Sequence, residues 1–259
     1  MDVLHYLNHI DLNVGEIGPS EDLLREIHKK HLLTVPFENL DIMNGRKLSM
    51  NAEDVYQKIV LQKRGGICFE TNTLMYSILQ MIGFNVKKVS ACFWNVEQSK
   101  WNPDFSHLAL IISIDECDYL FDVGIGGGFL EPLRLKDGYS YSDANGSYQV
   151  VKAENNEFLL RHFEDSEWKD FLKINTFERN QNEFSEQCAF FQTSKETVFT
   201  QKRIVSKTTL NGKVTLTDKV LKVTENSNVS ITEIISEEEW KEVLQNTFGI
   251  NINKLAIIK

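Results

Sequence analysis

The sequence predicts an α+β fold, and three observations carry that prediction. Apolar residues recur at helical spacing from Ser20 to Gly83. They alternate with a period of two after Gly83, and a smaller mixed segment of strands and one helix closes the chain. At 259 residues the chain is one or two domains long and large enough to bury its own core.

The elements follow in order. Ser20 caps a helix whose apolar stripe is Leu23, Leu24, Ile27 and His31, and Pro36 ends it. Asn51 or Ser49 caps a second helix carrying Val55, Ile59 and Val60. A third begins near Cys68 with Phe69, Tyr76 and Leu79 on one stripe and Leu74, Ile78 and Ile82 beside it, and Gly83 stands where a C′ glycine belongs. Val89, Ala91 and Phe93 then open a strand pattern. Ser106 to Ile114 and Tyr119 to Val123 continue it around a turn at Asp115 to Asp118, and Phe158 to Phe163 reads as another strand. Trp168 to Ser194 carries no clear period. Arg203 to Leu210 and Lys213 to Val220 flank Asn211-Gly212, a type I′ hairpin signal. Ser236 and Glu239 form a capping box ahead of Trp240, Val243, Leu244 and Phe248, with Gly249 closing the last helix.

Composition removes several functions. With 42% hydrophobic and 25% charged residues the chain is an ordinary globular one. Its net charge of -9 speaks against nucleic acid or an anionic membrane as partner, although an anionic small ligand needs only a local cluster of donors. Cys68, Cys92, Cys117 and Cys188 form no C-x-x-C pair, so no metal site is expected. The N-terminus lacks a basic region followed by a long apolar run, which predicts a cytoplasmic protein with reduced thiols. In Gly124-Ile125-Gly126-Gly127-Gly128 the dinucleotide fingerprint fails at Phe129, and no P-loop or H-E-x-x-H motif occurs. The glycine run serves either a tight bend or close backbone approach to a substrate or phosphate.

One constellation points to chemistry. Cys68 follows Arg64-Gly65-Gly66-Ile67 and starts a helix, where free N–H groups and the helix dipole favour a thiolate nucleophile. The alternative is a buried structural cysteine. Cys92 and Cys117 sit in strand and turn patterns, and Cys188 in the polar stretch. His107 opens the strand after Ser106 and shares its side with Ala109 and Ile111. It is either a catalytic base or a satisfied core histidine. His5, His9, His28 and His31 fall in surface-like helical patterns, and His162 in a late strand. Asp122 stands among apolar neighbours, where a carboxylate needs a partner. A two-residue hairpin loop puts His107 and Asp122 on one face, diagonally disposed, whereas a three-residue loop separates them. Otherwise Asp122 caps the glycine turn. Together the three residues supply nucleophile, base and orienting carboxylate.

At these residues the chain resembles the arylamine N-acetyltransferase family. The carrying motifs are Val35-Pro36-Phe37-Glu38-Asn39-Leu40, Arg64-Gly65-Gly66-Ile67-Cys68-Phe69-Glu70-Thr71-Asn72, Ser106-His107-Leu108 and Asp122-Val123-Gly124-Ile125-Gly126. Ile125 stands where the family often has an aromatic residue. The resemblance implies a papain-like Cys–His–Asp enzyme in three parts. These are a helical bundle over 1–84, an antiparallel β-barrel over 85–190 and an α/β lid over 191–259. It implies transfer of acetyl from acetyl-CoA to an aromatic amine, hydroxylamine or hydrazine by a ping-pong route, as in xenobiotic metabolism. By position, Cys68 is the acetylated nucleophile, His107 the base and Asp122 its partner. Phe37, Ser106, Gly124, Ile125 and Gly126 border the substrate. Arg64, Glu38 and Glu70 form a buried ion-pair network bracing the loop.

Two other classes use the same residues. A cysteine peptidase or transglutaminase-like hydrolase shares the triad and would need a long open cleft, and an amide synthase is a close variant within the family. A non-catalytic binding module could keep the fold, but it would be free to lose Cys68.

Overall fold

A computed structural model describes residues 1–226 and 228–251 of the chain. Its N-terminal third is helical: α1 (Val3–His9), α2 (Glu21–Thr34), α3 (Leu40–Met43), α4 (Ala52–Tyr56) and α5 (Cys68–Ile82), with a two-residue strand β1 (Phe37–Glu38) after α2. Ser20 Oγ accepts from the Leu23 N–H, and Asn51 Oδ1 from those of Glu53 and Asp54. These caps satisfy donors that the first helical turn leaves free. α4 widens into a π-type turn over Gln57–Leu61, which turns Lys58 into the interior. Gly83 takes φ +104 at the end of α5, as a left-handed C-cap requires.

The middle of the chain is antiparallel. Strands β2 (Asn85–Asn95), β4 (His107–Ile114), β5 (Cys117–Phe121), β6 (Leu133–Arg134), β7 (Ser140–Asp143), β8 (Gly146–Lys152), β9 (Glu157–Glu164) and β10 (Glu167–Glu178) run in the order β6-β5-β4-β2-β10-β9-β8-β7 as a nearly closed barrel. The short β3 (Lys100–Trp101) pairs with β2 off this path. Val89, Ala109, Ile111, Leu120, Leu160, Leu172 and Ile174 fill the interior. The stretch without a clear period resolves into β10 and α6 (Ser185–Thr193), and α6 runs across position 190. In β10 only Leu172 and Ile174 are buried, so the sequence there carries little apolar signal.

The last segment forms β11 (Ile204–Thr209), β12 (Gly212–Thr217), β13 (Val220–Glu225), β14 (Asn228–Glu233) and α7 (Glu237–Phe248). The sheet order is β1-β11-β12-β13-β14, so Phe37–Glu38 from the helical third is its first strand. Val205, Val214 and Leu216 bury one face against Trp240, Leu244 and Phe248 of α7.

The hairpin between β11 and β12 forms, but its turn is not the expected type I′ at Asn211-Gly212. Thr209 pairs with Gly212, and among the described residues only Gly212 of this turn has positive φ, at +147. Gly212 is required by its neighbour: a Cβ there would lie 2.2 Å from the Thr224 carbonyl oxygen of β13. Left-handed pairs occur instead at Asp115 and Glu116, with φ +46 and +64, joining β4 to β5, and at Asp165 and Ser166, with φ +53 and +68, joining β9 to β10, each through a two-residue loop.

Candidate active site

The site is built where α5 starts against the β4–β5 hairpin. Cys68 is the first residue of α5, its helix axis pointing the positive dipole end at the thiol. The two-residue loop fixes register, so Leu110 opposes Phe121 and Ala109 lies across from position 122. His107 and Asp122 therefore share a face as diagonal neighbours. His107 Nε2 donates to Asp122 Oδ2 at 2.6 Å, and both residues are buried. Cys68 lies close enough to the ring to contribute to raising its pKa. With Nε2 engaged by Asp122, Nδ1 is the ring nitrogen left for a second partner. Burial alone would depress the His107 pKa, but the Asp122 carboxylate and then Cys68 outweigh it and raise it to about 10.

Close approach of thiol and loop depends on Gly124. A Cβ there would lie 2.6 Å from Cys68 Cα and 2.7 Å from Cys68 Cβ, so no other residue fits without separating the two elements. Gly124 is thus a close-approach device for the protein's own Cys68. Asp122 also caps this turn, accepting from the Gly124 N–H at 2.9 Å through Oδ1. The two roles foreseen as alternatives coexist because a carboxylate has acceptor sites on both oxygens.

Asn72, one turn after Cys68 on the same helix face, had no role assigned by the sequence. Its Nδ2 donates to Asp122 Oδ1 at 2.8 Å and to the Leu108 carbonyl at 2.7 Å, and its Oδ1 accepts from the Val123 N–H at 3.2 Å. One side chain thereby ties α5 to both strands. The i, i+4 spacing from Cys68 was the available signal.

His28 and His31 are fully buried, which corrects their surface reading. His28 Nδ1 lies 3.0 Å from the Leu130 carbonyl, and its Nε2 accepts from the Asp122 N–H at 3.4 Å. The ring stacks on Phe129 with centroids 5.5 Å apart. His31 Nδ1 lies 2.9 Å from Tyr6 Oη. Burial lowers their pKa values to about 4 and about 3, so both are neutral supports behind the site.

The ion-pair network is larger than foreseen, and Arg64 does not pair with Glu70. Arg64 Nη2 meets Glu38 at 2.7 Å and Asp41 at 3.1 Å. The link to Glu70 is Lys58, whose Nζ lies 2.7 Å from both Glu70 Oε1 and Asp41 Oδ2. Burial disfavours the Lys58 ammonium, but Glu70, Glu38 and Asp41 hold its pKa above the usual lysine range. Glu70 Oε2 accepts from the Ile67 N–H at 3.2 Å and so connects the network to the start of α5. Gly65 passes close to Pro36: a Cβ there would lie 1.8 Å from the Pro36 carbonyl oxygen.

Around the triad, Phe93 meets His107 edge-on at 4.8 Å, and Phe37 lies between Phe199, at 5.8 Å, and Gly126. Gly126 has φ +76, and its carbonyl accepts from Ser206 Oγ at 2.9 Å. Ile125 packs against the barrel cluster. Ser106 Oγ is buried and has no partner among the described residues. Burial pushes the thiols of Cys92 and Cys188 up to about 11 and about 12, so neither ionises readily. Among the described residues no cluster could hold a metal ion, and no helix is long and apolar enough to cross a membrane.

A family model described as N-acetyltransferase matches residues 21–257. The chain belongs to this N-acetyltransferase family. It is 28% identical to arylamine N-acetyltransferase 1 of Homo sapiens over 282 residues, covering 100% of this chain and 97% of that protein. The arylamine N-acetyltransferase structure from M. tuberculosis superposes with a TM-score of 0.90 at 25% identity, over 98% of this chain and 96% of the other. The fold also matches that of the Mycobacterium marinum arylamine N-acetyltransferase in complex with CoA. There the TM-score is 0.88 at 24% identity, over 98% of this chain and 95% of the other.

Proposed function

We propose that this family member transfers the acetyl group of acetyl-CoA to the nitrogen of an aromatic amine, hydroxylamine or hydrazine through an acetyl-Cys68 intermediate. The observation that carries the reading is the buried His107 Nε2–Asp122 Oδ2 hydrogen bond beside Cys68 at the start of α5. In the first half-reaction the Cys68 thiolate, its proton already held by His107, attacks the thioester carbonyl. The tetrahedral intermediate collapses with loss of the CoA thiolate, which takes up the proton held by His107. The Cys68 N–H and a neighbouring amide at the helix start hold the oxyanion. In the second half-reaction the amine nitrogen attacks acetyl-Cys68, His107 accepts its proton, and the cysteine thiolate leaves.

An aromatic amine is largely unprotonated near neutral pH, so its lone pair is available, whereas most alkylamines are protonated. Phe37, flanked by Phe199, offers a flat ring a stacking surface, and Ser106, Gly124, Ile125 and Gly126 complete the acceptor side. Family membership favours transfer over the peptidase or transglutaminase-like alternative. We place the protein in the cytoplasm, where four unpaired cysteines suit a reducing compartment, with foreign aromatic amines as a natural substrate pool. Initial rates over a grid of acetyl-CoA and aromatic amine concentrations test the reading. Parallel double-reciprocal lines are expected, and intersecting lines overturn the acetyl-enzyme route.

A further inference from the structure

The sheet β1-β11-β12-β13-β14 has two unlike faces. Residues directly opposed in an antiparallel pair share a face, so the registers place Phe37, Ser206, Thr215 and Lys222 together, with Thr208, Lys213 and Thr224 beside them. The opposite face is apolar and covered by α7. The hydroxyl-bearing face turns toward the glycine loop after Asp122: Ser206 Oγ donates to the Gly126 carbonyl, and Lys213 lies over Gly127. A Cβ at Gly127 would lie 2.8 Å from Lys213 Cδ and 3.6 Å from its Nζ, so the bare glycine is what lets this side chain run along the loop. His162 of β9 feels this side chain: its pKa is lowered first by burial and in part by Lys213.

Lys213 is only partly exposed, and among the described residues neither it nor Lys222 forms an ion pair with a carboxylate. In a protein of net charge -9, two neighbouring cations without anionic partners beside the catalytic loop are an uncompensated positive spot. Burial, and then Lys222, lower the Lys213 pKa, the direction expected of a cation that lacks its counter-charge. We propose that Lys213 is a specificity-determining residue that receives an anionic substituent, such as a carboxylate, on the aromatic acceptor.

The placement favours the acceptor over CoA as the source of that anion. Gly124 touches Cys68, and only three residues of chain, at most about 11 Å, carry the loop on to Gly127. A ring substituent lies one aromatic ring from the reacting nitrogen. The phosphates of CoA lie a whole pantetheine arm from the thioester. Phe37 shares the sheet face with Lys213 and would stack the ring between nucleophile and cation.

This inference rests on the proposed acetyl transfer, and its test is separable from that reading. The test compares kcat/KM for 4-aminobenzoate and 4-aminobenzamide, which differ in charge at nearly constant shape, in the wild type, Lys213→Met and Lys213→Arg. Lys213→Met keeps the stem over Gly127 and removes the charge. The aminobenzoate-to-aminobenzamide ratio is expected to fall about tenfold in Lys213→Met and to be largely retained in Lys213→Arg. An unchanged ratio, or an equal loss on both acceptors, overturns the proposal. So does a raised KM for acetyl-CoA with the ratio intact, which would assign the cation to a CoA phosphate. Acetylation of Cys68 by acetyl-CoA alone, measured on the same variants, reports on the transfer chemistry independently of the acceptor.

Discussion

Replacing Asp122 by asparagine removes one charge and one acceptor while keeping the shape. The carboxylate accepts from three groups: His107 Nε2 at 2.6 Å, Asn72 Nδ2 at 2.8 Å and the Gly124 N–H at 2.9 Å. An amide has one oxygen and one NH2 group, so one side must fail. If NH2 faces the ring, the imidazole moves its proton to Nδ1 and can no longer accept from Cys68. If NH2 faces the loop, it opposes the Asn72 and Gly124 donors. The first orientation opposes one donor and the second opposes two, so the ring suffers. Losing one hydrogen bond to a charged group costs about 1.5–3 kcal/mol, which slows thiolate formation by about 10- to 150-fold. The assay is the rate of Cys68 alkylation by iodoacetamide, followed by mass at neutral pH, with circular dichroism confirming the fold. The apparent His107 pKa should also drop, since the first attraction that outweighs burial is gone. Alkylation at the wild-type rate in a folded variant would refute the coupling of Asp122 to Cys68.

Three further outcomes follow from the same geometry. Gly124→Ala puts a methyl 2.6 Å from Cys68 Cα and must part loop from helix by about 1 Å, which should cut turnover about 100-fold. Near-normal turnover contradicts the close-approach role. Lys58→Met leaves the buried Glu70 without a cation and Asp41 with Arg64 but without Lys58, and should cost about 3–5 kcal/mol in urea unfolding, whereas a loss below about 1 kcal/mol would show the network to be dispensable. His28 and His31 stay neutral in the fold down to about 4 and about 3, while unfolded imidazoles take up protons near 6.5. The unfolded chain therefore binds more protons in between. The two rings' contribution is full above pH 6.5 and falls as pH drops, by up to about 1.4 kcal/mol per pH unit for each ring. His9, lowered to about 4, adds to the same slope, so His31→Gln should take up to about 1.4 kcal/mol per pH unit from it between pH 6 and 4.5, and an unchanged slope would contradict the assignment.

What the sequence disclosed depended on how local each cause was. The His107–Asp122 relation was legible because strand parity plus a two-residue loop decides it, and Asp115-Glu116 supplies that loop. The start of α5 was legible from Gly65-Gly66 and Cys68. The type I′ signal at Asn211-Gly212 misled because Gly212 answers to Thr224 on another strand, a demand that no local pattern records. His28 and His31 looked exposed since the groups that satisfy them, the Leu130 carbonyl and Tyr6 Oη, lie 102 and 25 positions away. Lys58 and Asp41 escaped notice for the same reason: their network joins α3, the turn after α4, and the start of α5, and shares no period. β10 hid because only two of its residues, Leu172 and Ile174, are buried.

The central claim is that Cys68 carries the acetyl group. Intact-mass measurement after incubation with acetyl-CoA, followed by peptide mapping, tests it most directly. A single acetyl adduct at Cys68, discharged by adding an aromatic amine and missing in Cys68→Ala, is the predicted result. No adduct, or one that persists in Cys68→Ala, would contradict it.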